Sequence, residues 1–124
     1  MEFYRCKHCG NMIAFTHNSG APITCCGDTM ERVTENTVEA SAEKHIPQVV
    51  QNQTHIHVNV GSIDHPMEEK HFIEWIAIET KAGNQRKVLK PGDAPKADFY
   101  VSADDKLLKV YEYCNLHGLW SKTF

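Results

Sequence analysis

Four of the five cysteines lie close to the N-terminus, in the segment Cys6-Lys7-His8-Cys9 and in the adjacent pair Cys25-Cys26. Four thiolates are a common ligand set for a closed tetrahedral zinc or iron site. The two-residue spacer lets Cys6 and Cys9 turn both sulfurs toward one ion. The spacing alone does not choose the metal, because both ions accept four thiolates, so a structural zinc knuckle is the alternative to an iron centre.

The second cysteine pair requires an unusual backbone. Adjacent residues of an extended chain point to opposite faces, so Cys25 and Cys26 can bind one ion only if the chain bends sharply. Gly10 and Gly27 each follow a cysteine pair. Glycine at such a position admits a positive φ and lets backbone N–H groups approach the sulfurs. We therefore expect a distorted tetrahedral site.

The remaining cysteine belongs to a second set of candidate ligands. The members of this set are His45, His65, His71, Cys114 and His117. Cys114 and His117 are close in sequence on a glycine-containing loop, and His45 and His65 adjoin proline segments that rigidify their loops. Imidazole with one thiolate suits iron or copper better than magnesium or calcium. Five protein ligands would leave one octahedral position open, which is typical of a catalytic metal site.

A single histidine or cysteine is usually an ordinary surface or core residue. We assign His8, His17, His55 and His57 to that class, and the alternation of residues 53–60 predicts that His55 and His57 lie on the polar face of a strand. The same explanation is available for each member of the second set taken alone. Their joint occurrence in loops that flank predicted strands is what indicates a metal site.

Composition excludes several classes of function. The formal net charge is -3, and lysine and arginine form no long run, which argues against non-specific binding of nucleic acid. No apolar stretch approaches the roughly 18 residues of a membrane span, and the first residues lack the apolar core of a signal peptide. We therefore expect a cytoplasmic protein with no nucleic-acid or membrane partner. Disulfides are rare in that compartment, so its cysteines serve as metal ligands, catalytic groups or core residues.

The elements that must position these residues are predicted to be mainly β-strands. Residues 1–36 form a unit too small to bury a sufficient core, so a bound metal is expected to stabilise it. In residues 37–124 the pattern predicts short strands separated by turns, with 37–42 as a linker or first strand. The predicted strands cover residues 53–60, 72–80, 85–89, 96–101 and 107–113. Such strands are typical of a β-sandwich, and no strong helix is expected.

Three separated motifs resemble the superoxide reductases. They are Glu43-Lys44-His45-Ile46-Pro47, then His65-Pro66-Met67 followed by His71, then Cys114-Asn115-Leu116-His117-Gly118. The N-terminal Cys-x-x-Cys and Cys-Cys-Gly, with fifteen residues between them, resemble the desulforedoxin-like module. The combination is similar to the desulfoferrodoxin family, the two-iron form of these proteins, and it covers essentially the whole chain.

The resemblance implies two mononuclear non-haem iron ions. The first would be bound by Cys6, Cys9, Cys25 and Cys26. The catalytic iron would be bound by His45, His65, His71 and His117 in a plane, with Cys114 axial and the sixth position open in the ferrous state. It also implies an immunoglobulin-like β-sandwich for residues 37–124, after a desulforedoxin-like module in residues 1–36.

The same resemblance implies an activity and its partners. Superoxide would be reduced by one electron to hydrogen peroxide, a detoxification reaction under oxidative stress, with a rubredoxin-like protein as the electron donor. Glu43 would be the sixth ligand of the ferric iron, and Lys44 would attract superoxide and help to protonate the peroxide. The chain would form a homodimer.

Other functions are compatible with the metal-binding residues taken alone. A non-catalytic electron carrier would need only the four-cysteine iron. A zinc-ribbon module would bind a partner without redox chemistry, and a dismutase would run without an external reductant. A superoxide reductase instead requires an open coordination position and a supply of electrons.

Overall fold

The computed structural model describes residues 1–124, which are almost entirely antiparallel β-structure and turns. The chain divides into two compact units, Met1–Thr34 and Glu35–Phe124, each with its own sheets. The expectation of a mainly β fold is confirmed. None of its helical segments has the length and apolar character needed to cross a membrane.

The first unit contains a small sheet and a hairpin. Its sheet has the order β2-β1-β5, formed by β1 (Phe3–Arg5), β2 (Met12–Ala14) and β5 (Glu31–Val33), and its hairpin pairs β3 (Thr24–Cys25) with β4 (Asp28–Thr29). The buried apolar residues here are Phe3, Cys6 and Met30. Such a small core does not stabilise a fold by itself, so this unit depends on an additional crosslink such as a metal.

The second unit is a two-sheet sandwich. One sheet has the order β10-β7-β6, formed by β6 (Pro47–Asn52), β7 (His55–Val60) and β10 (Lys96–Tyr100). The other has the order β12-β11-β8-β9, formed by β8 (Ile73–Thr80), β9 (Asn84–Val88), β11 (Leu107–Cys114) and β12 (Gly118–Thr123). A single helical turn, α1 (Ala42–His45), precedes β6.

The core of the sandwich lies between the two sheets. Ile56 and Val58 of β7 alternate with exposed or half-buried polar residues and are fully buried. Ile76 of β8 and Val110 of β11 belong to the same buried cluster, which joins the inner faces of both sheets. The strand β8 is buried along nearly its whole length, as its β-branched and aromatic residues and the lack of a clear alternation predict.

Some elements differ from the sequence expectations. Residues 37–42, expected as a linker or first strand, contain no strand, and the first strand of the sandwich is β6. The sequence did not predict β6 or β12. Both are edge strands, and β6 begins at a proline, which is tolerated at the first residue of an edge strand.

Candidate metal centres

Four cysteine sulfurs converge in the first unit. The Sγ atoms of Cys6, Cys9, Cys25 and Cys26 all lie within 4.8 Å of one another. The Cys9 and Cys25 sulfurs are 3.6 Å apart, and the Cys25 and Cys26 sulfurs are 4.0 Å apart. Bonds of about 2.3 Å in a tetrahedron put neighbouring sulfurs about 3.8 Å apart. The cluster therefore has the size of a four-thiolate site for zinc or iron.

The backbone bend that the adjacent cysteines require is present. Cys26 has a φ of 52° and Gly27 a φ of 80°, so two consecutive residues are left-handed between β3 and β4. Gly10, after the first pair, has a φ of 81°. These turns aim backbone N–H groups at sulfur: the N–H groups of His8 and Cys9 lie 3.4 and 3.5 Å from the Cys6 sulfur.

The thiols of this cluster differ in acidity. Hydrogen bonds from backbone N–H groups lower the pKa of Cys6 to about 6, and the bond from the N–H of Cys9 has the largest effect. Hydrogen bonds with the neighbouring thiols, of which the one with Cys9 has the largest effect, raise the pKa of Cys26 to about 12. The pKa of Cys25 is also raised, mainly by its hydrogen bond with Cys9. Four negative sulfurs cannot coexist at these distances without a cation, and a metal ion with a charge of two or three supplies that charge.

Five further ligand atoms converge at one end of the sandwich. The ligand atoms of His45, His65, His71, Cys114 and His117 all lie within 4.8 Å of one another. The four imidazoles form a closed ring, in which each histidine contacts the next one along the chain and His117 contacts His45. Neighbouring ring centroids are 4.6 to 5.0 Å apart, and neighbouring ring planes cross at 73 to 88°. The Cys114 sulfur lies 3.8 Å from Nδ1 of His117. The structure thus brings together all five residues that the sequence suggested for a second centre.

A helical turn and a tight loop position His45. The residue ends α1, where Nδ1 of its ring lies 2.7 Å from the carbonyl of Ser41 and its ring stacks on Trp120 at 4.8 Å. The loop after β7 fixes the chain two residues before His45, because the N–H of Ile63 donates to the Glu43 carbonyl at 3.0 Å. At Gly61 in that loop, a Cβ would lie 2.5 Å from the same carbonyl oxygen, so only glycine fits there without a shift.

The other ligands come from two loops that are bonded to each other. His65 and His71 lie between β7 and β8, and Cys114 and His117 lie at the turn between β11 and β12. Asn115 joins the loops: its side-chain carbonyl accepts from the N–H of Phe72 at 2.9 Å, and its amide donates to the Lys70 carbonyl at 3.1 Å.

Hydrogen bonds on the outer side of two rings direct lone pairs inward. Nδ1 of His65 lies 2.7 Å from the carbonyl of Pro66, as Nδ1 of His45 does from that of Ser41. A carbonyl only accepts, so each Nδ1 carries the proton and each neutral ring presents an Nε2 lone pair. These two Nε2 atoms are only 3.2 Å apart. Two facing lone pairs repel, and a cation between them removes the repulsion.

Burial keeps these groups uncharged in the absence of metal. Desolvation lowers the pKa of His65 to about 4 and also lowers the pKa of His45 and of His71. Burial raises the pKa of the Cys114 thiol, which is completely buried. Nε2 of His71 is buried and has no hydrogen-bond partner. An orphaned nitrogen, facing lone pairs and a buried thiol fit a thiophilic, imidazole-binding cation such as iron.

Glu43 and Lys44 lie beside this centre on exposed positions of α1. The Glu43 carboxylate accepts a short hydrogen bond from the Ser41 hydroxyl, and that bond is the main reason why the pKa of Glu43 is lowered. Its oxygen atoms are not among the converging ligand atoms. Burial and the nearby His117 lower the pKa of His71, and the charge of Lys44 contributes in the same direction to a smaller extent.

The sequence assigned no role to three residues that shape this site. Trp120 stacks on the ring of His45, and Asn115 joins the two loops that carry the other candidate ligands. Gly61 leaves room for the backbone of α1. Asn115 follows Cys114 directly and Trp120 lies three residues after His117, and this nearness to candidate ligands is the only signal that could have found them. Gly61 has no comparable signal, because its role depends on a contact between distant segments.

The four remaining histidines lie outside both centres. His8 is exposed and contacts Asp28, and His17 is exposed in a loop. His55 and His57 lie on the outer face of β7, as their alternation with apolar residues predicts.

Comparisons with known proteins agree with this arrangement. The Desulfoferrodoxin family matches residues 37–123, and the family described as Desulfoferrodoxin, N-terminal domain, matches residues 1–33. A desulfoferrodoxin of Nitratidesulfovibrio vulgaris is 45% identical over 96% of this chain and 93% of its own length. A desulfoferrodoxin of Syntrophotalea carbinolica is 47% identical over 98% of this chain and 94% of its own length.

Solved structures show the same similarity. The superoxide reductase from Treponema pallidum superposes with a TM-score of 0.83 at 36% identity, covering 98% of both chains. A superoxide reductase from Giardia intestinalis superposes with a TM-score of 0.56 at 32% identity, covering 66% of this chain and 97% of its own. With both family profiles matched and near-complete coverage of its relatives, the chain belongs to the desulfoferrodoxin family.

Proposed function

We propose that this chain is a superoxide reductase, which converts superoxide, one electron and two protons into hydrogen peroxide. The observation that carries the proposal is the ring of four imidazoles whose ligand nitrogens converge beside a buried thiol. Its cofactors are two mononuclear non-haem iron ions, as in its family. We assign the first to Cys6, Cys9, Cys25 and Cys26, and the catalytic one to His45, His65, His71, Cys114 and His117. Iron held by the second set would supply the one-electron donor that this reaction requires.

The protein groups around this centre divide it into a closed and an open side. His45 and His65 are each 2% exposed and Cys114 is fully buried, whereas His71 and His117 are partly exposed. A small anion therefore has access past the last two rings. With iron bound, the buried Cys114 would act as a thiolate ligand from a position that solvent does not reach, and it would donate electron density.

Lys44 supplies positive charge at the approach to the site. It is exposed, it precedes the ligand His45, and its charge is felt at His71. Superoxide is a small anion, and a cation beside a site raises its encounter rate, up to about 10⁸–10⁹ M⁻¹s⁻¹. We propose that Lys44 attracts superoxide and that its ammonium group, with solvent, delivers protons to the peroxide. We further propose that Glu43 leaves Ser41 to become a ligand in the ferric state.

The test is to mix the reduced, iron-loaded protein with superoxide and measure hydrogen peroxide and dioxygen. A superoxide reductase yields one peroxide per electron, forms no dioxygen, and stops unless a reductant is added. Catalytic dioxygen formation without a reductant would identify a dismutase. An unreactive C-terminal iron whose spectrum azide does not perturb would identify an electron carrier.

We propose a rubredoxin-like protein as the electron donor. Ile63 and Leu116 support this, because they are 55% and 59% exposed and each lies within two residues of a proposed ligand. Exposed apolar groups beside a redox centre suit a transient contact with a small carrier. Rapid reduction of the ferric centre by rubredoxin, faster for the wild type than for Leu116→Lys, would support this assignment.

We also propose a cytoplasmic homodimer. All five cysteines are free thiols, which suits a reducing compartment. Val88 is 67% exposed on the edge strand β9, where unpaired backbone groups can meet a second copy. Sedimentation of the iron-loaded protein measures the oligomeric state directly.

A further inference from the structure

A serine stands at the start of the helical turn α1. Ser41 is the N-cap of this turn and has an extended backbone, with a φ of -65° and a ψ of 102°. The side-chain oxygen of an N-cap serine usually accepts a hydrogen bond from a backbone N–H of the first turn. Here the side chain makes no such bond, and the N–H of Lys44 donates to the backbone carbonyl of Ser41 at 3.1 Å. The hydroxyl is therefore available to another partner.

That partner is the carboxylate of Glu43. The Ser41 hydroxyl donates to Oε1 of Glu43 at 2.5 Å, and a hydrogen bond to a charged acceptor is stronger than one between neutral groups. Glu43 precedes the candidate ligand His45 by two residues, yet its oxygens are not among the ligand atoms that converge at the second centre. The hydroxyl thus holds the carboxylate beside the turn and outside the ligand set.

The two polar groups of Ser41 act on different residues. Its carbonyl lies 2.7 Å from Nδ1 of His45 and orients that ring, whereas its hydroxyl bonds only to Glu43 among the printed contacts of the side chain. A substitution that removes the hydroxyl keeps the carbonyl, and it removes no helix cap because the side chain makes none. The contact with Glu43 can therefore be tested without loss of the contact with His45.

A carboxylate cannot stay in this position and also reach the centre. Because its oxygens lie outside the converging set, the Glu43 side chain must move to contact an ion there, and the movement breaks its bond to Ser41. The hydroxyl and a ferric ion therefore compete for the same group. A hydrogen bond of ordinary net strength shifts such an equilibrium by about 3- to 10-fold.

We propose that Ser41 is a positioning residue that regulates the sixth coordination position: its hydroxyl holds the Glu43 carboxylate back, which limits the binding of Glu43 to ferric iron and favours access for a small anion. Ser41 touches neither the iron nor the substrate and acts only through Glu43. The inference rests on the proposed function in one respect, the binding of Glu43 in the ferric state.

The experiment titrates the oxidised, iron-loaded protein with azide, a small anion that would compete with Glu43, and follows the ferric absorption of the second centre. In Ser41→Ala the carboxylate is released, so we expect the apparent Kd for azide to rise about 3- to 10-fold. The same release stabilises the ferric state and should lower the midpoint potential by about 30 to 60 mV, at 59 mV for each tenfold change. Ser41→Thr keeps a hydroxyl on an extended residue and should behave as the wild type does.

Ser62→Ala is the matched control. The Ser62 hydroxyl donates at 3.2 Å to the backbone carbonyl of Glu43, which also accepts from the N–H of Ile63, so this variant loses a serine hydroxyl without releasing the carboxylate. We expect its azide affinity to match the wild type. Glu43→Ala should bind azide more tightly than the wild type, and the addition of Ser41→Ala should change nothing further.

Three results would overturn the inference. They are an unchanged azide affinity in Ser41→Ala, an equal effect of Ser62→Ala, and an effect of Ser41→Ala that persists without Glu43. If Glu43→Ala binds azide as the wild type does, the ferric-state role of Glu43 and the role of Ser41 fail together. The reductase activity is judged separately, by the yield of hydrogen peroxide, so its failure is distinguishable from failure of the role of Ser41.

Discussion

Gly61 is expected to control the position of the segment that carries Glu43, Lys44 and His45. In Gly61→Ala the new Cβ would lie 2.5 Å from the Glu43 carbonyl oxygen and 3.0 Å from the Lys44 carbonyl carbon. Ordinary contact begins at 3.4 Å, so the two backbones must separate by about 0.9 Å. Both contacts are with backbone atoms, so no side chain can rotate away to relieve them. Overpacking of this kind costs about 1–3 kcal/mol.

The displaced backbone should slow the reaction because it carries Lys44 and His45 away from their positions. A separation of this size strains the hydrogen bonds that the Glu43 carbonyl accepts from the N–H of Ile63 and the hydroxyl of Ser62. A misplacement of about 1 Å in a positioned group can cost on the order of 100-fold in rate. We expect the second-order rate with superoxide to fall about 10- to 100-fold, with a weaker dependence on ionic strength.

The assay is pulse radiolysis or stopped-flow mixing of the reduced, iron-loaded variant with superoxide at several salt concentrations. Iron content and the ferric spectrum of the C-terminal centre show whether the ligands still bind. Gly83→Ala is the matched control, because its Cβ would meet nothing within 4 Å and its φ is outside the left-handed region. Equal rates and equal melting temperatures for the two variants would refute the reasoning.

Three further perturbations test the site assignments. Cys114→Ser should remove the thiolate charge-transfer absorption of the ferric C-terminal centre and abolish turnover; an iron-replete variant that keeps both would show that the sulfur is not a ligand. Lys44→Ala should slow the bimolecular step by about 10-fold or more at low ionic strength and flatten its salt dependence, whereas Lys44→Arg should keep most of both, and an unchanged rate in Lys44→Ala would eliminate the steering role. Cys25→Ser should unfold residues 1–34, as measured by proteolysis, and leave superoxide reduction largely intact; a folded but inactive variant would make the first centre obligatory.

The sandwich strands with strong patterns were predictable from the sequence, and the weakly patterned edges were not. The alternation in β7 and the β-branched and aromatic residues of β8 each show directly how a strand is buried. In β6, Val50 is 67% exposed and most other residues are polar, so no apolar period marks the strand. β6 forms because it pairs with β7 across a tight turn, and such pairing depends on a partner that local sequence does not encode.

The candidate metal ligands were easier to predict from the sequence than the contacts that position them. A ligand must have one of a few side-chain types, so His45 and Cys114 stand out even though 68 residues separate them in the sequence. A supporting contact can use any residue of suitable shape. Gly61 matters because fold topology brings the Glu43 carbonyl against it, and Ser41 acts through its own backbone carbonyl, which any residue could supply; the sequence gives no sign of either role.

The two centres relate to the fold in opposite ways. In the sandwich, a core of fully buried residues such as Ile76 and Val110 holds the imidazole ring together, so the energy of burial opposes the repulsion between the Nε2 atoms of His45 and His65. The first unit has no comparable core, and its thiols repel one another as they ionise. We therefore expect metal at the first centre to act mainly as a structural crosslink, whereas the sandwich core holds the candidate ligands of the second centre in place before a metal binds. A preformed site can leave one coordination position to a substrate, because the protein does not need a full set of ligands around the ion to stay folded.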